Sequence, residues 1–98
     1  MVKIEPTWGD IHRDERIYRD YRVVEKLLDH NPDPKLDGFV DRIKKLYATN
    51  QATLGSVSTD FEKNVEYLVN MYSEDGQVDF EGIKEEVYWT GRLLDMER

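Results

Sequence analysis

Apolar residues recur at the spacing of an α-helix in four separate segments of this 98-residue chain, and helix-breaking residues separate the segments. The clearest segment lies between Leu36 and Tyr47, where apolar side chains three or four positions apart share one face. The breaks fall at residues 30–32, His-Asn-Pro, at Gly55 and at Gly76. This pattern predicts an all-α fold, a small four-helix domain with a short extended N-terminal arm.

The expected arm covers residues 1–9, where Pro6 and Gly9 interrupt any helix and Trp8 is available to dock on the fold. The four helices are expected at about residues 10–29, 34–52, 59–73 and 79–97. Because a chain of this length has room for one core, we expect residues 1–98 to form a single domain.

Capping residues predict where three of the helices begin. Asp33 followed by Pro34 is typical of an N-cap and a first helical residue. Thr59 and Glu62 have the spacing of a capping box, and Asp79 can cap the fourth helix. A short strand could form only near Gly76–Phe80 or in the arm.

Cysteine is absent, which excludes disulfides and thiolate metal sites. We find no apolar stretch with the length of a signal peptide or of a membrane span. These features predict a cytoplasmic protein with no membrane partner.

The negative charge of the chain is concentrated in its second half. The net charge is −7, and residues 60–86 account for all of it, because they contain nine acidic residues against Lys63 and Lys84. Residues 1–50 are balanced. On the first helix, arginines alternate with acids, as in the expected i,i+4 pair of Arg16 and Asp20. Direct nucleic-acid binding, which needs an unopposed basic surface, is therefore not expected.

The acids of the third helix, the following turn and the fourth helix predict a surface for a basic partner. The alternative is a solvated face that only keeps the protein soluble. The predicted acidic partner-binding residues are Glu62, Glu66, Glu74, Asp75, Asp79, Glu81, Glu85 and Glu86.

The fourth helix also has a second apolar face, formed by Trp89, Leu93 and Met96. Such a face must be covered by the N-terminal arm, by another protein or second copy, or by a small molecule. Because Trp and Met are common anchors at interfaces, we include these three residues in the predicted partner-binding surface.

Catalytic and metal-binding patterns are missing. Residues 71–82 resemble the second half of a calcium-binding EF-hand loop, but Met71 and Gly82 stand where the loop needs Asp and Glu. His12 and His30 belong to no metal-ligand spacing on a helix. We find no nucleophile motif and no phosphate-binding glycine pattern. We therefore predict no catalytic residues, no metal and no cofactor.

These observations predict a non-catalytic protein-interaction module whose acidic helix 3–turn–helix 4 end binds a basic protein surface. An inhibitor, an adaptor and a nucleic-acid mimic all fit this description. The alternative is a structural subunit of a homo-oligomer or of a viral or phage assembly, with the fourth helix and the arm as contacts.

Overall fold

The computed structural model describes residues 15–97, so the predicted arm at residues 1–9 and the expected helix start near Asp10 lie outside the described residues. The all-α fold is confirmed. The helices are α1 (Glu15–Leu28), α2 (Phe39–Leu54), α3 (Phe61–Met71) and α4 (Phe80–Glu97), and a two-stranded hairpin of β1 (Ser73–Glu74) and β2 (Gln77–Val78) lies between α3 and α4.

Helix α1 is central, because it packs against each of the other three helices. Tyr18, near its start, lies against Gly91 toward the end of α4. Just after its end, Asp29 pairs with Lys84 near the start of α4 at 3.3 Å, so α1 and α4 run antiparallel. The apolar faces of all four helices and Val78 meet in one core, whose largest fully buried members include Phe39, Leu27, Leu28, Ile43, Leu68 and Ile83.

The predicted start of the second helix is wrong, because residues 34–36 pair with the hairpin instead of turning into helix. The amide of Leu36 donates to the carbonyl of Gly76 at 2.8 Å, and the amide of Val78 donates to that of Pro34 at 2.8 Å. The helix begins only at Phe39, after Gly38 with a φ of 76°. A capping pattern is local, and here a tertiary pairing overrides it.

The start of α3 also differs from the prediction. Thr59 and Glu62 form no capping box: the N-cap position is Asp60, without a side-chain capping bond. Ser58 holds this turn, since its hydroxyl accepts from the amide of Asp60 at 3.2 Å and its carbonyl accepts from that of Phe61 at 3.1 Å.

The predicted helix breaks at residues 30–32 and at Gly55 and the predicted cap at Asp79 are confirmed. Asn31 takes the left-handed conformation after α1, with a φ of 55°. Gly55 ends α2 with a φ of 85°. The carboxylate of Asp79 accepts a hydrogen bond from the amide of Gly82 at 3.0 Å, as an N-cap does.

A short strand does form in the segment around Gly76. Its turn places two successive residues, Asp75 and Gly76, at positive φ, 54° and 76°. This is the arrangement of a tight β-hairpin turn, for which Asp-Gly is a favoured pair.

Candidate functional site

The predicted acidic residues do not form one surface, because those of α3 and those of α4 line different clefts. Glu62 and Glu66 line a cleft on the α2 side of α3, together with residues 35–41. Asn64, on another side of α3, faces α1 and bonds to Asp20. Glu62 is also paired with Lys44 at 3.1 Å, which reduces its charge on that flank. The acids of α3 and those of α4 therefore lie on separate surfaces.

Glu86 is directed into the fold. Its carboxylate accepts a hydrogen bond from the Tyr72 hydroxyl at 2.6 Å, and the hydroxyl of the buried Thr90 lies 3.5 Å from its other oxygen. Glu74 and Asp75 are exposed at the hairpin. Glu86 therefore does not belong to an open acidic surface, contrary to the prediction. Its carboxylate links α4 to Tyr72 at the end of α3.

Three of the predicted acids line one groove beside exposed aromatic rings. The groove has a volume of about 520 Å³ and lies along the outer face of the first half of α4. We call it the α4 groove; its lining residues are Asp79, Glu81, Gly82, Lys84, Glu85, Tyr88 and Trp89. Because Glu81, Glu85 and Trp89 are successive i,i+4 neighbours, the helix itself places the carboxylates next to the indole.

The α4 groove has an excess of negative charge. Asp79, Glu81 and Glu85 are exposed, and the single basic residue in the lining, Lys84, is paired with Asp29 at 3.3 Å. Asp79 also caps the helix through the amide of Gly82, which fixes its position. The groove therefore offers acceptor oxygens at the start of α4.

The aromatic wall of the α4 groove is largely open to solvent. Trp89 is 55% exposed and Tyr88 is 52% exposed. The two rings meet edge to face, with centroids 5.1 Å apart and an interplanar angle of 81°. Such exposure of adjacent large aromatics is typical of a surface that contacts a partner. Of the two other predicted apolar residues, Met96 is 75% exposed and Leu93 is half-buried.

An arginine follows the aromatic pair along the same face. The Arg92 guanidinium lies 5.8 Å from the centroid of the Tyr88 ring and donates to the Tyr88 hydroxyl at 3.1 Å. Along the outer face of α4, acidic residues come first, the two aromatic residues follow, and then come the basic Arg92 and the apolar Met96.

One buried polar residue was missed by sequence reasoning. Asp20, expected to pair with Arg16 at the surface, is fully buried. Its carboxylate accepts from the amide of Ser58 at 3.0 Å, from the hydroxyl of Ser58, and from the side-chain amide of Asn64 at 2.9 Å. A signal was present, because Asp20 lies three residues after Ile17 and four before Val24, on the apolar stripe of its helix.

Two tyrosines near Glu86, the buried Tyr21 and the half-buried Tyr72, make the stability of the fold depend on pH in the alkaline range. Burial raises the pKa of Tyr21 above its ordinary 10.0, and nearby Tyr67 and Glu86 add to the effect. Burial, and then the hydrogen bond to Glu86, raises the pKa of Tyr72. Both phenols therefore stay protonated in the folded chain at a pH that ionises them in the unfolded chain.

Below pH 10 these two phenols should not change the free energy of unfolding. As the pH rises above 10, we expect the free energy of unfolding to fall. Above that pH the unfolded chain binds fewer protons, so Tyr21 alone contributes a loss of about 1.4 kcal/mol per pH unit. Urea denaturation over a pH series measures the slope. Tyr21→Phe should make it shallower, and an unchanged slope in that variant would contradict the assignment.

Across residues 15–97, every helix is too short or too polar to span a bilayer. In the same part of the chain, no three His, Asp or Glu side chains converge as the ligands of a metal ion would. Comparisons with protein-family models, with curated proteins and with solved structures return no match to this chain.

Proposed function

We propose that this chain is a non-catalytic interaction protein that binds a basic segment of a partner protein in the α4 groove. The observation that carries the proposal is the juxtaposition of three exposed carboxylates, one at the N-cap of α4 and two on the helix, with a half-exposed indole. Carboxylates alone would be consistent with a solvated face, but a tryptophan and a tyrosine exposed side by side next to them form an apolar patch, and such patches mark interaction sites.

An arginine or lysine side chain fits this groove chemically. Its aliphatic stem can pack on the Trp89 ring, and its charged end can reach Glu81 or Glu85. An arginine adds a planar guanidinium that donates hydrogen bonds to two carboxylate oxygens and stacks on an aromatic face. The net charge of −7 draws basic partners toward the chain from a distance.

The test is binding of a labelled arginine-rich peptide, measured by fluorescence anisotropy at low protein concentration. Trp89→Ala and the double reversal Glu81→Arg/Glu85→Arg should each weaken binding by about tenfold or more, because they remove packing or place like charges in the groove. High salt should weaken binding by the wild-type chain.

A matched control separates the groove from bulk charge. Glu66→Arg/Glu74→Arg changes the net charge by the same amount, but both residues are exposed outside the α4 groove. We expect this variant to retain most of the affinity for the peptide. Equal losses in the two double variants would mean that the peptide responds to net charge, and the proposal would then be wrong.

A further inference from the structure

The outer face of α4 is complementary to itself. Its exposed members recur every three or four residues, which keeps them within an arc of about 100° on the helix. This is the spacing that lets two helices pack side by side along a seam. In chain order the members of this stripe are Glu81, Glu85, Tyr88, Trp89, Arg92 and Met96.

The order of charges along the stripe matches an antiparallel pairing of two α4 helices. The midpoint of the stripe falls between Tyr88 and Trp89, the two rings in contact. Glu85 and Arg92 lie equally far from that midpoint on opposite sides. When a second α4 is laid antiparallel across the midpoint, Glu85 of each chain faces Arg92 of the other. The same two-fold operation places the aromatic pairs together, and places Glu81 opposite Met96.

We infer that the basic group taken by the α4 groove is Arg92 of a second copy, so that two chains pair antiparallel through α4. This inference rests on the proposed function, because it requires the groove to accept a basic side chain. Arg92 already lies over the Tyr88 ring, so its guanidinium is held on the stripe and loses little freedom on pairing. An isologous contact of this kind closes as a dimer and leaves no free end.

The experiment is sedimentation velocity of the full chain over a concentration series. Wild type should show a shift from monomer to dimer. Arg92→Glu and Glu85→Arg should each weaken dimerisation by about tenfold or more, since each creates two like-charge contacts across the two-fold axis. The double variant Glu85→Arg/Arg92→Glu restores opposite charges at both contacts, and we expect its dimerisation constant to return to near the wild-type value.

Two controls test the placement of these charges. Arg19→Glu makes the same charge change as Arg92→Glu, but on the exposed side of α1. Glu66→Arg matches Glu85→Arg on α3. Neither control should alter dimerisation by more than a small factor. Circular dichroism of each variant verifies that it remains helical.

The outcomes separate this inference from the proposed function. A chain that stays monomeric at every concentration but binds the arginine-rich peptide in the groove would overturn the inference alone. A dimer that the double variant does not rescue would also overturn it, because the pairing would then use another register or surface. A rescued dimer without peptide binding would support the inference, and would mean that the basic partner of the groove is the second copy and not a separate protein. A monomer that binds no peptide would overturn both.

Discussion

Replacing Asp20 with alanine should lower the free energy of unfolding by about 3 kcal/mol. The carboxylate is fully buried and holds Ser58, at the entry to α3, and Asn64, one turn into α3, against α1. Without it, the amide of Ser58 and the side-chain amide of Asn64, both partly buried, lose their acceptor. Urea denaturation followed by circular dichroism measures the change.

An exchange that preserves the shape of the side chain distinguishes loss of the hydrogen bonds from loss of packing. Asp20→Asn places an amide against the amide of Asn64, so it should be destabilised by about 1–2 kcal/mol. Asp20→Asn/Asn64→Asp restores one donor and one acceptor at that contact and should recover part of the loss. Asp20→Ala with wild-type stability would mean that the buried carboxylate does not hold α3 to α1.

Phe39→Ala should be the most destabilising change, with a loss of about 3–5 kcal/mol. Phe39 is fully buried, and its ring lies 5.8 Å from that of Phe80, centroid to centroid. It also begins α2, directly after the segment that pairs with the hairpin. A chain of this size is stable by roughly 5–10 kcal/mol, so this variant should be partly unfolded at moderate temperature. Its thermal midpoint and its urea midpoint both test this.

The matched comparisons use residues of similar chemistry. Phe39→Leu keeps most of the buried apolar volume and should cost about 1–2 kcal/mol. Tyr88→Ala removes an aromatic ring that is 52% exposed and should change stability by no more than about 0.5 kcal/mol. If Phe39→Ala were as mild as Tyr88→Ala, the placement of Phe39 at the centre of the core would be wrong.

The helices were predictable because their apolar periodicity survives in the fold. The stripe of the second helix supplied Phe39 and Ile43 to the core, and that of the fourth supplied Ile83 and Val87. Local periodicity decides which face of a helix is buried. It does not decide where a helix begins when another segment competes for the same backbone groups.

The segment after Asp33 shows this limit. Asp-Pro is a sound start signal, but the amide of Leu36 and the carbonyl of Pro34 find partners in the hairpin more than 35 residues away. Arg42 then holds the segment in its extended form, since its guanidinium donates to the backbone carbonyls of Asp33, Lys35 and Asp37. A signal of this range is not visible in local sequence.

The sequence identified which acidic residues are exposed on the third and fourth helices, with Glu86 as an exception, but not which of them lie together in space. The sequence analysis grouped Glu62 and Glu66 with Glu81 and Glu85 because the third and fourth helices follow each other in the chain. In the structure α1 packs against both helices, and these pairs line different clefts. The grouping of Glu81, Glu85 and Trp89 was accessible from the sequence, because it follows from helical spacing alone.

The pairing of residues 34–36 with residues 76–78 has a consequence for how the chain loses its structure. Strands of two residues cannot persist on their own, so the hairpin depends on a segment from the other half of the chain. That segment leads into Phe39 at the start of α2, and the Phe39 ring packs on Phe80 at the start of α4. Neither half of the chain can unfold without disrupting the other. Denaturation should therefore be a single cooperative transition without a populated intermediate.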